Sequence, residues 1–298
     1  MLGAPISRCF ILRLLGAGAG AAALVAAPGA ARAGPPFQTD DPEPVDLGHY
    51  EFYVFAASDG TPLETDPLGP AFEFNWGALP NTQLHAVLNF GAVVPTNNPL
   101  YAPQGSGPSA YGLLDTELGV KYRFIPQSAS VPEVGVFPMI ELPTGSAARG
   151  LGVGKTWYKL PLWVQKDWGP WTTYGGGGYE IVHQDGFRDF RYAGWLLQRD
   201  LGEKWTLGAE LWYHGPEGNS TPQTHSATML DVGGYYYFRK PAFQLLFSVG
   251  RTAVGQPETY GYLGLYWTWG GPADAAAKGV AWSRTSAAPG SAPPQAFP

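Results

Sequence analysis

YGLLDTELGVKYRF, residues 111–124, decides which fold is open to this chain. Read with a period of two, Leu114, Thr116, Leu118, Val120, Tyr122 and Phe124 fall on one side and Asp115, Glu117, Gly119, Lys121 and Arg123 on the other. A strand turns successive side chains to opposite faces, so the run has one apolar and one charged face. In a soluble sandwich the apolar face looks into a core. In a transmembrane barrel it meets lipid and the polar face lines the lumen.

The rest of the chain chooses the barrel. Alternating runs bounded by Gly, Pro, Asn or Asp predict twelve strands, near 49–58, 71–77, 83–93, 111–124, 133–142, 156–167, 171–182, 187–199, 205–214, 226–239, 242–251 and 259–269. Most exceed the ordinary soluble strand and match the roughly 9–11 residues that cross a membrane. Tight turns follow strands 2, 6, 8 and 10 (ALPNT, DWGP, DLGEK, RKPA), and IPQSASVP after strand 4 is somewhat longer. Long Gly/Pro/Ser/Thr-rich connections are expected after strands 1, 3, 5 and 9, the longest spanning Val94–Ala110. Such alternation is the bacterial outer-membrane pattern. Trp76, Trp168, Trp171, Trp205, Tyr236, Trp267 and Trp269 fall near strand ends, where amphipathic rings favour the membrane interface. The fold class is therefore all-β: a single up-and-down antiparallel transmembrane barrel.

Composition agrees. Of 298 residues only 14% are charged, against about 25% in soluble domains, while 41 are glycine and 14% aromatic. The mean hydropathy of −0.11 leaves no apolar run long enough for membrane helices beyond the first 30 residues. Residues 1–33 read as a cleaved secretory signal: Arg8 and Arg13, an apolar stretch Leu14–Ala27, then Ala31-Arg32-Ala33. Cys9, the only cysteine, lies inside it, so the mature chain has no disulfide, thiol nucleophile or Cys-bound metal. Cleavage leaves 15 basic against 24 acidic residues. An exported acidic chain with no basic stripe is no nucleic-acid binder. Residues 34–47, Pro-rich and acidic, are expected to be a periplasmic segment; 48–270 the barrel; 271–298 a disordered Ala/Pro/Gly tail. The partners implied are outer-membrane lipid and a small-molecule solute.

Motifs for catalysis are weak. GLGVGKT (150–156) suggests a phosphate loop, but the required first glycine is Arg149. Gly175–Gly178 has no helix after it and suits a bend or a close approach instead. No histidine pairing suggests a zinc site. His214 and Ser226 flank one outer loop, which leaves a membrane-embedded hydrolase as an alternative; otherwise no catalytic residue, cofactor or metal is expected, and the chain reads as no enzyme. The inward charges are more specific. Facing lipid, each Lys or Arg would cost roughly 2–4 kcal/mol. Gln83, His85, Asn89, Asp115, Glu117, Lys121, Arg123, Glu133, Glu141, Lys159, Glu180, Arg191, Glu210, Asp231 and Arg239 are thus expected to line the pore. They can form a selective passage or a salt-bridged plug in a closed, structural or surface-binding barrel.

GPPFQTDDPEPVDLGHYEFYVF (34–55), ELPTG (141–145) and WTTYGGGGY (171–179) resemble a bacterial outer-membrane β-barrel family labelled putative meta-pathway of phenol degradation and often called a transporter. The likeness covers most of 34–270. It implies a barrel in the outer membrane that passes aromatic or other small hydrophobic compounds, and brings no catalytic residues.

Overall fold

A computed structural model describes residues 35–96, 108–219 and 223–271. The signal (1–33), the tail beyond residue 271, and the middle of the 94–110 connection lie outside the described residues. The remainder forms fourteen strand segments in one antiparallel sheet: β1 His49–Gly60, β2 Glu64–Leu79, β3 Thr82–Pro95, β4 Ala110–Leu113, β5 Thr116–Ile125, β6 Glu133–Val136, β7 Met139–Leu142, β8 Trp157–Trp168, β9 Trp171–Ile181, β10 Phe190–Asp200, β11 Trp205–His214, β12 Ala227–Arg239, β13 Phe243–Gly255 and β14 Thr259–Gly270. β3 pairs with both β4 and β5, and β8 with both β6 and β7. Each of those pairs of segments is one interrupted stave, so the wall has twelve staves. β1 pairs with β14 from His49↔Gly270 to Gly60↔Thr259, and the sheet closes.

The two faces settle the ambiguity posed by 111–124. Leu118, Val120, Tyr122 and Phe124 are exposed on the outer surface, as are Leu84, Leu88, Leu160, Leu162, Leu207, Leu211, Leu230 and Val232. Glu73, Gln83, His85, Lys121, Glu133, Glu141, Glu210 and Asp231 are buried inside. A water-soluble barrel reverses this order; a membrane barrel requires it. The tryptophans named above all sit at one end, that of the tight turns and of His49 and Gly270, where Tyr50 stacks on Trp76 and Trp269. The opposite rim carries exposed tyrosines, Tyr111, Tyr158, Tyr179 and Tyr213.

Three expectations need correction. β2 begins at Glu64, seven residues before the expected start, so the connection after β1 is only Thr61–Leu63. Pro67 and Pro70 read as loop punctuation, but Gly69-Pro70 forms a two-against-one bulge opposite Ala56, where a missing N–H breaks no ladder bond. The stave at 111–124 breaks at Leu114–Asp115, because the Asp115 carboxylate turns away to accept the Gly145 and Val153 N–H groups of the following outer loop. The break shifts the alternation by one residue, and Leu114, expected outside, packs over Gly91 instead. Likewise the stave at 133–142 breaks at Phe137–Pro138.

Candidate functional site

The largest departure from expectation is the segment before β1. Residues 34–47 read as periplasmic, yet Pro35–Asp46 lies inside the barrel. From the tight-turn end inward, Asp46 packs against Gly77, and the Val45 N–H donates to Gln83 Oε1 (3.0 Å). Gln165 Nε2 donates to Glu43 (3.5 Å). The Lys121 ammonium sits between Asp40 (2.9 Å) and Asp41 (3.3 Å), over the Phe137 ring. Thr39 donates through its N–H and hydroxyl to Glu210 Oε1 (2.8 and 2.9 Å). Phe37 packs with Tyr174 and Leu196. The Pro36 carbonyl accepts from Ser248 (2.6 Å) and Tyr260 (3.1 Å). A Cβ on Gly194 would overlap Thr39 and one on Gly135 would crowd Pro42, so glycines in the wall make room for this segment.

A second set of contacts ties the wall to itself. His85 joins Asn75 (2.7 Å) to Glu117 (2.8 Å), Asn75 donates to Glu73 (2.8 Å), and Lys159 bridges Glu117 (2.7 Å) and Glu141 (3.3 Å). Nearer the tight turns Arg123 pairs with Glu133 (3.1 Å). These charges come from consecutive staves, so the network crosses the sheet like a belt. Facing it, β1, β12, β13 and β14 fill the interior with Tyr53, Tyr235, Tyr237, Leu246, Tyr262 and Tyr266.

The residues expected to line the pore divide as follows. Gln83, His85, Glu117, Lys121, Arg123, Glu133, Glu141, Lys159, Glu210 and Asp231 belong to the contacts above, or, for Asp231, to one with Gln38 (3.2 Å). Glu180 is in register with Lys159. Asn89 is half-buried, beside the stave break, where its carbonyl accepts the Leu114 N–H (2.9 Å). Asp115 holds the outer loop rather than a lumen partner. Two are corrections. Arg191 is exposed and in register with outward Tyr179, because Tyr192 takes the inward position. Arg239 is exposed at the end of β12, beyond a register slip after Tyr237.

Sequence reading missed Gln38, Thr39, Asp40, Asp41 and Glu43, and the inward tyrosines. Alternation of the tyrosines was available as a signal; for the acidic segment there was none. The hydrolase alternative fares poorly, since both ring nitrogens of His214 are engaged, Nε2 by Glu258 (2.8 Å) and Nδ1 by Glu217 (2.9 Å) and the Gly215 carbonyl.

Burial pushes the Glu43 carboxyl up to about 8, helped by Glu133 and Asp167 and opposed by Arg123. Its ordinary value is 4.5. A raised folded value means that seating this residue favours the protonated form. That preference is fully present below about 4.5, is lost as pH rises toward about 8, and is flat above. The segment should therefore be held more loosely at pH 8 than at pH 5. Protease cleavage within residues 35–46 is expected to quicken over that interval, and Glu43→Gln to flatten the dependence; an unchanged profile in Glu43→Gln would refute the assignment.

No protein-family model and no curated protein sequence matches the chain. Among solved structures it is similar to an outer membrane channel from Pseudomonas putida F1, with a TM-score of 0.63 at 16% identity over 77% of this chain and 98% of that one. It is also similar to the translocator domain of the autotransporter NalP from Neisseria meningitidis, with a TM-score of 0.50 at 14% identity over 75% of this chain and 90% of that one. At such identities the likeness is one of fold: the chain is a twelve-stave barrel of the outer-membrane kind.

Proposed function

We propose that the chain is a passive outer-membrane channel for small solutes, closed in the conformation described by its own residues 35–46. The observation that carries this reading is the mode of filling. A barrel built only for support can fill its interior with wall side chains, as eight-stave barrels do. Here a segment outside the wall's staves, joined to β1 at its residue 48 end, takes up the lumen through polar contacts that water or a solute can replace. Gly135 and Gly194 in the wall leave the room that the segment fills. The likeness to the Pseudomonas channel supports the fold this requires, and the resemblance of the 34–55 stretch to the phenol meta-pathway family favours aromatic or other small hydrophobic solutes. The lining would be the inward residues named above, without Arg191 and Arg239.

Purified mature chain and a version lacking residues 35–46 would be compared in planar bilayers. The full chain is expected to conduct in brief, rare openings and the shortened one continuously, with at least severalfold greater mean current. If neither conducts, the channel reading fails and the closed structural barrel takes its place.

A further inference from the structure

Glu210 and Asp231 stand directly opposite each other on β11 and β12, 1% and 0% exposed. Opposed like charges destabilise a sheet, and buried carboxylates are ordinarily paired with a base. Among the described residues no Lys, Arg or His forms an ion pair with either. What reaches them instead is four neutral groups, and every one donates: the Gln38 N–H (3.0 Å), the Thr39 N–H (2.8 Å), the Thr39 hydroxyl (2.9 Å) and the Gln38 carboxamide (3.2 Å). Asp231 Oδ1, fully buried, has no partner among the described residues. It points toward Gly250, where a Cβ would overlap the carboxylate. The pair is thus built to accept, and it is left short of one donor and of any positive charge.

Two rings flank it. Along the register row, Tyr174 lies two staves away through Leu196 on one side, and Tyr260 two staves away through Gly250 on the other. Both turn inward onto the residues just before Gln38, Tyr174 against Phe37 and Tyr260 onto the Pro36 carbonyl. Donors only, a positive charge and a surface that suits aromatic faces together describe an alkylammonium or arylalkylammonium ion. A small inorganic cation asks for six or more oxygens and gains little from phenyl rings.

We infer that Glu210 and Asp231, between Tyr174 and Tyr260, form a binding site for a small organic ammonium solute, whose place Gln38 and Thr39 occupy in the closed barrel. This rests on the channel reading and narrows it, from small solutes to cationic ones with an apolar body. Solute and segment compete for the same two carboxylates.

Isothermal titration of the mature chain in nonionic detergent would test this, with benzylammonium, benzyl alcohol and sodium chloride as probes. Benzylammonium is expected to bind at least tenfold more tightly than benzyl alcohol. It should bind more tightly still to the chain lacking residues 35–46. In that shortened chain, where no segment competes, Glu210→Gln with Asp231→Asn should weaken it tenfold or more, and Tyr260→Leu, which leaves both carboxyl groups in place, at least threefold. Equal affinity for benzyl alcohol, indifference to either substitution, or displacement by equimolar sodium would overturn the site. Conductance is read separately: binding without current refutes the channel and keeps the site, whereas current without ammonium preference refutes the site alone.

Discussion

Replacing Lys121 by methionine is expected to unseat the N-terminal segment and leave the barrel folded. The ammonium is buried, and its partners Asp40 and Asp41 both belong to that segment. Removing one member of a buried ion pair costs about 3–5 kcal/mol, because the charge left behind is uncompensated. Here two carboxylates are left behind, and both can escape to water if the segment withdraws. The seating equilibrium should therefore shift by roughly two to three orders of magnitude, at about 1.4 kcal/mol per factor of ten. The wall loses little, since Lys121 makes no ion pair with another stave among the described contacts. Open probability in planar bilayers and protease cleavage within residues 35–46 should both rise steeply, while heat-modifiable migration on a gel stays that of a folded barrel. Open probability equal to that of the parent chain would sink the prediction.

The second large effect is expected in the wall itself. Gly176 has a φ of +154°, and a Cβ there would overlap the Leu162 carbonyl oxygen and press on the Trp163 ring. The neighbouring oxygen belongs to a ladder and cannot swing aside. Gly176→Ala combines backbone strain of about 1–3 kcal/mol with overpacking of a similar 1–3 kcal/mol, enough to threaten folding altogether. Gly261→Ala is the matched control, because nothing among the described residues lies within 4 Å of its added Cβ. Urea unfolding in micelles should show Gly176→Ala destabilised by several kcal/mol and Gly261→Ala little changed. Equal midpoints would refute the close-approach account of the 175–178 run.

How much of this was legible in the residues follows from the range of the interactions. Strand faces are local: Leu118, Val120 and Tyr122 alternate with Glu117, Lys121 and Arg123, and two-residue periodicity survives any tertiary context that keeps the strand. Bulges are less legible. Pro67 and Pro70 carry the same signal whether they end a strand or bend one, and only the partner Ala56 distinguishes the cases. Arg191 was misplaced because Tyr179, Arg191 and Tyr213 lie on the outward face at the rim, where a long charged side chain is free to leave the apolar band. The filling of the lumen was beyond reach. Gln38 meets Asp231 across 193 positions and Thr39 meets Glu210 across 171. A Pro-rich acidic stretch has the same composition in water as inside a barrel whose walls supply Lys121 and hydroxyl donors. The ordering of its backbone is set by those partners and by nothing periodic within it.

The placement of Trp76, Trp168, Trp171, Trp205, Trp267 and Trp269 at one rim and of Tyr111, Tyr158, Tyr179 and Tyr213 at the other has a further consequence. On β8, Tyr158 and Trp168 are ten positions apart, about 33 Å along a strand at 3.3 Å per residue. Tilted by roughly 40°, that is a vertical span of about 25 Å, the height of an outer-membrane apolar band. On β11, Trp205 and Tyr213 bracket a shorter stretch of about 20 Å. The hydrophobic belt is thus uneven around the circumference, and in a thick bilayer the β11 side would be the mismatched one. Lipid would have to thin there or the barrel lean, so acyl-chain length becomes a lever on its orientation and its rate of insertion.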